Sequence, residues 1–160
     1  MSEETNASII SVWTEHLAPP RLAQQEESAK LEVNVIFTTD QATRAALKAA
    51  GKLASGLNTR INVIDVQAVP LAFPISRPPI AIAFSLHRLQ NLARAGISDD
   101  AQINVQLYLC RDKRQALLKA LSPRSLVVIG GKRIWWFSKA KSIARMLERH
   151  GYRVVFAAQR

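Results

Sequence analysis

A single cysteine, Cys110, stands in 160 residues. One thiol closes no intrachain disulfide, and His16, His87 and His150 lie too far apart in the sequence to complete a Cys/His metal site. Stability must come from a packed core, and a chain of 160 residues can bury roughly 70% of the surface its unfolded form exposes. Glycine is scarce as well, with six in all. None is arranged as G-x-G-x-x-G or G-x-x-x-x-G-K-[ST], which argues against a dinucleotide-binding dehydrogenase and a P-loop NTPase. G-x-S-x-G is missing, and no histidine neighbours a serine or cysteine in a nucleophile motif. No apolar run approaches the roughly 20 residues of a membrane span. The opening MSEETN is acidic where a secretory signal starts basic, so a cytoplasmic protein is expected.

Acidic residues are the other shortage, 12 against 22 lysines and arginines, for a net charge of +10. The imbalance is uneven. Residues 1–30 hold five acids and two bases, whereas residues 111–160 hold thirteen bases and two acids, a local net of +11. A one-sided basic surface attracts nucleic acid, anionic lipid or phosphorylated small molecules, although cations solvated on helix faces give the same count.

What is present is a regular alternation. Residues 1–30 are polar and acidic with Pro19-Pro20 in their midst, and read as an extension outside the domain. Within it Ile9, Ile10, Val12, Trp13 and Leu17 fall roughly on one side of a helix, so 6–17 is expected to form a short amphipathic segment that docks on the body or on a partner subunit. From Leu31 each apolar run is followed by a helical one. VNVIFT at 33–38, INVIDV at 61–66, INVQLYL at 103–109, LVVI at 126–129 and VVFAA at 154–158 are β-branched or apolar strand patterns. The segments 41–57, about 80–95, 113–121 and 138–150 carry helical patterns, with Asp112 placed to cap the third and Gly151 to end the fourth. The prolines of 67–79 mark a long loop, and Pro78-Pro79 suit the entry to the second helix. Strands separated by helices need crossovers, so they lie parallel with helices on both faces: a doubly wound α/β domain over 31–160. Its ligand crevice belongs outside the carboxyl ends of the strands. That directs attention to the loops at 38–41, 66–79 and 130–138.

Gly130-Gly131-Lys132-Arg133 follows the fourth strand. Two residues without side chains let backbone N–H groups approach an anion, and two cations follow, as a phosphate requires; a plain turn is the alternative. Trp135-Trp136-Phe137 crowds three rings into one short connection. At least one of them is expected to meet a ligand, a protein partner or the N-terminal extension, with base stacking a further option. Asp40 and Asp65 are the acids nearest strand ends. Asp40 alone is well placed for a ligand, and it serves equally as a helix cap. Cys110 beside Arg111 reads as a buried thiol before an activated one.

VIFTTDQATRAALKAAGKLA, INVIDVQAVP and LVVIGGKRIWWFSKAKSIARMLERHGYRVVFAA resemble the first strand-turn-helix, second strand and closing strand-loop-helix-strand of the universal stress protein family. The resemblance spans residues 31–160. It implies a five-stranded parallel sheet in the order 3-2-1-4-5 and a homodimer formed through the last strand, here 154–158. Members divide into ATP binders and non-binders. In the binders an acid after strand one and a small apolar residue ending strand two hold the adenosine, which corresponds here to Asp40, next to Thr39, and Val66. Their phosphate motif is G-x2-G-x9-G-[ST]. With Gly131 as its second glycine, Val128 stands at the first, Lys141 at the third and Ser142 at the hydroxyl position; with Gly130 as its first glycine the spacing fails. Lys141 either blocks the pocket or offers its ammonium in place of an amide or metal contact, with Lys132, Arg133 and Lys139 near it in sequence.

The expected function is therefore a non-enzymatic universal-stress-type regulator with weak or absent binding of ATP or AMP, and Mg²⁺ only if ATP binds. The candidate nucleotide site comprises Thr39, Asp40, Val66, Gly130, Gly131, Lys132, Arg133, Lys141 and Ser142. A protein partner at Trp135 and Trp136 fits the same picture. A basic module for nucleic acid or an anionic protein is the alternative, and an enzyme acting on nucleotide phosphate has the least support.

Overall fold

Valine and isoleucine at alternate positions make the strands, and alanine at helical spacing makes the first helix that covers them. The computed structural model describes residues 9–14, 31–55, 59–97, 102–123, 125–132 and 139–158, the first of these as backbone only. Their order is β1 (Ile9–Thr14), β2 (Leu31–Ile36), α1 (Asp40–Ala54), β3 (Thr59–Ala68), α2 (Ile82–Gly96), β4 (Gln102–Cys110), α3 (Lys113–Ala120), β5 (Leu126–Gly131), α4 (Lys139–Arg149) and β6 (Arg153–Ala158). All pair in parallel, in the sheet order β1-β4-β3-β2-β5-β6. The five strands from β2 onward have the expected order 3-2-1-4-5.

The sheet is covered on both faces. Val33, Val35, Ile61, Val63 and Val105 pack with Ala46, Leu47 and Ala50 of α1 and Leu89, Leu92 and Ala93 of α2. Ile36, Ile64, Val127 and Ile129 turn the other way, onto Leu117 of α3 and Ala140, Ala144 and Leu147 of α4. Ala42, Ala46, Ala50 and Ala54 are all buried along α1, and their small side chains let the helix axis lie close to the strands. The direction reverses at β2: the chain moves from it through β3 to β4 on one side, and returns to β5 and β6 on the other. That is where a crevice opens above such a sheet.

Three boundaries differ from the sequence reading. Ile9–Thr14 is a sixth strand beside β4, with Ile9 opposite Asn104 and Thr14 opposite Leu109, where a helix was expected. Five of its six residues are β-branched or aromatic, which favours a pleated strand once an open edge is available to pair with; the remainder of 1–30 lies outside the described residues. Helix α2 starts at Ile82, three residues after the proline pair. Finally, Gly130 and Gly131 are the last residues of β5, paired with Ala157 and Ala158, and not a loop beyond it.

A row of amides crosses the sheet on the face of Ile36 and Ile64. Asn34, Asn62 and Asn104 are register partners. Asn104 donates to Asn62 Oδ1 (3.1 Å), Asn62 donates to Asn34 Oδ1 (2.9 Å), and Asn34 donates to Ser125 Oγ (3.0 Å). All three asparagines are buried, where an amide without a partner costs about 1–3 kcal/mol. Asn62→Ala strips a partner from both neighbours, and should lower unfolding free energy by about 2–4 kcal/mol in urea titrations.

Candidate functional site

The first turn of α1 is held from several directions. Thr39 caps it, its hydroxyl accepting from the Ala42 N–H at 3.2 Å. Thr38 N–H donates to Thr43 Oγ1 (3.2 Å), Thr38 Oγ1 donates to the Gly130 carbonyl (3.4 Å), and Phe37 N–H donates to the Ile64 carbonyl (2.8 Å). Gly130 permits the closest approach. A Cβ built on it would stand 1.8 Å from the Ala42 carbonyl oxygen, so helix backbone occupies the space of the missing side chain. At Gly131 a Cβ would meet Phe156 Cζ at 2.7 Å and Ala140 Cβ at 3.2 Å. Both glycines are thus required for packing, of α1 and of α4 with β6.

Above these contacts, at the carboxyl ends of β2, β3 and β5, lies a cleft of about 740 Å³. Its apolar lining includes Ile36, Phe37, Val66, Leu117 and Ile143, and its cations are Lys113 and Arg114 from α3, Lys132 after β5 and Lys139 from α4. Of the residues expected from the sequence, Thr39, Val66, Gly130, Gly131, Lys132 and Ser142 line it. Asp40 and Lys141 are not in the lining, and Arg133, like Trp135 and Trp136, lies outside the described residues. Asp40 opens α1, and its Oδ1 receives Arg88 Nε at 2.6 Å and Nη2 at 2.5 Å. Arg88 in turn sits over the Phe37 ring, 5.0 Å from its centroid, so this carboxylate fixes the cleft rim through an arginine and an aromatic ring.

Asp65 is the carboxylate that does line the cleft. It is buried, with Oδ2 accepting from Gln67 Nε2 at 2.7 Å, and that amide also donates to Ser85 Oγ at 3.2 Å. An acid between the apolar residues Ile64 and Val66, near the end of its strand, was the available sequence signal for it. Lys113 and Arg114 had a weaker one: they follow β4, away from the reversal point, and reach the cleft because only two residues separate strand from helix. Asp112 satisfies the start of α3, its Oδ1 accepting from Arg114 N–H (2.9 Å) and Gln115 N–H (3.3 Å). The Arg114 and Gln115 N–H groups are thus taken, and Lys113 and Arg114 are the cations this helix end brings to the cleft. Cys110 is buried with its thiol 3.6 Å from the Gln67 carbonyl, and His150 contacts the Met146 carbonyl at 2.8 Å. No group of three or more metal-ligating side chains occurs among the described residues, and no helix there is long and apolar enough to cross a membrane.

The fold has a counterpart among solved structures. A universal stress protein solved in complex with cAMP matches over 82% of this chain and 99% of its own, at 17% identity and a TM-score of 0.52. The chain has the universal stress protein fold. A universal stress family protein from Burkholderia pseudomallei covers 78% of this chain and 93% of its own at 20% identity and TM-score 0.46. One from Archaeoglobus fulgidus covers 83% and 97% at 10% identity and TM-score 0.48. No protein-family model matches the sequence, and no curated protein does.

Two outcomes follow from this geometry. Gly130→Ala drives a methyl into helix backbone and should cost about 3 kcal/mol or more of stability, measured by urea unfolding. Burial raises the Asp65 pKa above the ordinary carboxylate value, opposed by the Gln67 hydrogen bond and the charges of Lys113 and Arg88. The folded protein then holds this proton to higher pH than the unfolded chain, so the group's contribution to stability falls as pH rises from the ordinary carboxylate pKa through the raised one. Asp65→Asn should remove that decline, seen as the difference between wild-type and variant melting temperatures from about pH 4 to pH 7; parallel profiles would refute it.

Proposed function

We propose that this chain is a universal-stress-type regulatory protein, without turnover of its own, whose cleft takes an adenine nucleotide weakly. The observation that carries the reading is the open cleft of about 740 Å³ at the point where strand order reverses, with an apolar wall for a base and cations for a phosphate. The cAMP complex of a protein with this fold supports a nucleotide as the ligand class. Weak affinity accords with two departures from a dedicated site: Asp40 is engaged by Arg88, and both glycines are used in packing. A regulatory role accords with the cleft lining, whose only carboxylate among the described residues is Asp65, already engaged by Gln67. Homodimerisation through β6, which ends the sheet, belongs to the same reading.

A basic surface module for nucleic acid or an anionic protein is the second reading. It rests on Lys119, Arg145 and Arg149, which are exposed on the two helices of one sheet face. Thermal melts with AMP, ADP and ATP separate the two. At 100 times the dissociation constant a nucleotide should add about 2.7 kcal/mol, raising the melting temperature by roughly 5–11 °C. Ser142→Trp, at an exposed position on the cleft wall, should abolish the shift while leaving the unliganded melting temperature unchanged. A wild-type protein that no nucleotide shifts would overturn the first reading, and a nucleic acid that shifts it only at low salt would favour the second.

A further inference from the structure

Among the described residues the cleft lining holds four cations, Lys113, Arg114, Lys132 and Lys139, and one acid, Asp65. All four cations are exposed, and the ion pairs of the described residues engage other arginines, Arg60 and Arg88. A surplus of three positive charges thus faces one space. Two of the four come from α3, on the wall opposite the α1 turn, and their helix end is already capped by Asp112. Apart from the attraction of Lys113 to Asp65, their charged heads are available to a ligand.

A divalent cation has little to hold it here. Mg²⁺ seeks carboxylate oxygens and keeps several waters, whereas the single lining carboxylate, Asp65, is buried and takes its hydrogen bond from Gln67. The segment that bridges β5 to α4, residues 133–138, contains no acidic residue. Among the lining hydroxyls, Thr39 Oγ1 caps α1 and Thr38 Oγ1 donates to Gly130, which leaves Ser142. The residues present do not fit a Mg²⁺ site.

We infer that the phosphates of the bound nucleotide are neutralised by Lys113 and Arg114 of α3 together with Lys132 and Lys139, without a metal ion. This rests on the nucleotide reading above and adds to it both the groups that hold the anion and the form of ligand preferred, free polyphosphate over its Mg²⁺ complex. Each exposed cation contributes little to an isolated ion pair, but four directed at one polyanion act together, as charge-assisted contacts to phosphate do.

Calorimetric titration of the full chain with adenosine, AMP, ADP and ATP, each in EDTA and in excess Mg²⁺, tests the inference. Affinity should rise with each added phosphate in EDTA, and Mg²⁺ should weaken ATP binding by roughly tenfold by cancelling two of its charges. Lys113→Ala/Arg114→Ala should weaken ATP by roughly tenfold or more and adenosine by less than about twofold. Lys132→Ala/Lys139→Ala should repeat that pattern, and Arg94→Ala, exposed on α2 and outside the cleft lining, should change neither. Equal affinity for adenosine and ATP, tighter ATP binding in Mg²⁺, or equal losses for both ligands in the double variants would overturn the inference while leaving the nucleotide reading intact. Absence of binding by all four ligands would overturn both.

Discussion

The approach of α1 to β5 at Gly130 is the contact on which the upper half of the molecule depends. Helix backbone touches strand backbone there, with the Ala42 carbonyl in the place a Cβ would take. Because no side chain intervenes, the separation cannot be adjusted by a change of rotamer. The same strand end receives the Thr38 hydroxyl, and the Thr39 cap closes the turn above it. Position and tilt of the helix are thereby set, and with them one wall of the cleft. The opposite wall rests on softer contacts, since Gly131 faces the Phe156 ring and the Ala140 methyl. The crevice is a product of these unequal supports and of the reversal in strand order.

Charge is distributed around that crevice with a clear division of labour. Two acids near the strand ends are engaged by polar neighbours, Asp40 by Arg88 and Asp65 by Gln67. Lys113 and Arg114 of α3 and Lys139 of α4 face the cleft. Pairing Asp40 with Arg88 takes that acid out of the lining, while four of the thirteen bases of residues 111–160 line the cleft, which focuses their potential. The large formal charge of the sequence is thus informative only after the fold shows which of its cations share the cleft.

Much of this was readable from the residues. VNVIFT, INVIDV and INVQLYL are unmistakable as strands because β-branched residues occupy the interior of each run, and helices between them force the parallel arrangement. IISVWT was misjudged because a six-residue segment with five bulky positions satisfies the helical and the extended period equally. What decides between them is a neighbour far along the chain, the edge of β4. Of the residues that line the cleft, Gly131 and Ser142 were reached through the motif spacing, and Thr39 and Val66 through their places at the ends of the first two strands of the motif. The glycines were found for a different reason from the one that retains them, since close packing and anion approach both demand a missing side chain. Lys113 and Arg114 escaped notice because α3 begins so soon after β4 that it overhangs a strand it does not follow.

The asparagine row across β2, β3 and β4 bears on how the sheet finds its alignment while folding. A period of two in apolar residues guards only against slips by an odd number of residues, which turn the core outward. A slip by two keeps every valine and isoleucine on its proper face and passes that test. The amides do not pass it: moving β3 by two residues sets Asn62 against Ile36 or Glu32 and Asn34 against Ile64 or Arg60, leaving buried amides facing the wrong neighbours. Parallel strands that meet only after long crossovers search slowly, and this row removes from the search the near-native alignments that hydrophobicity alone would accept.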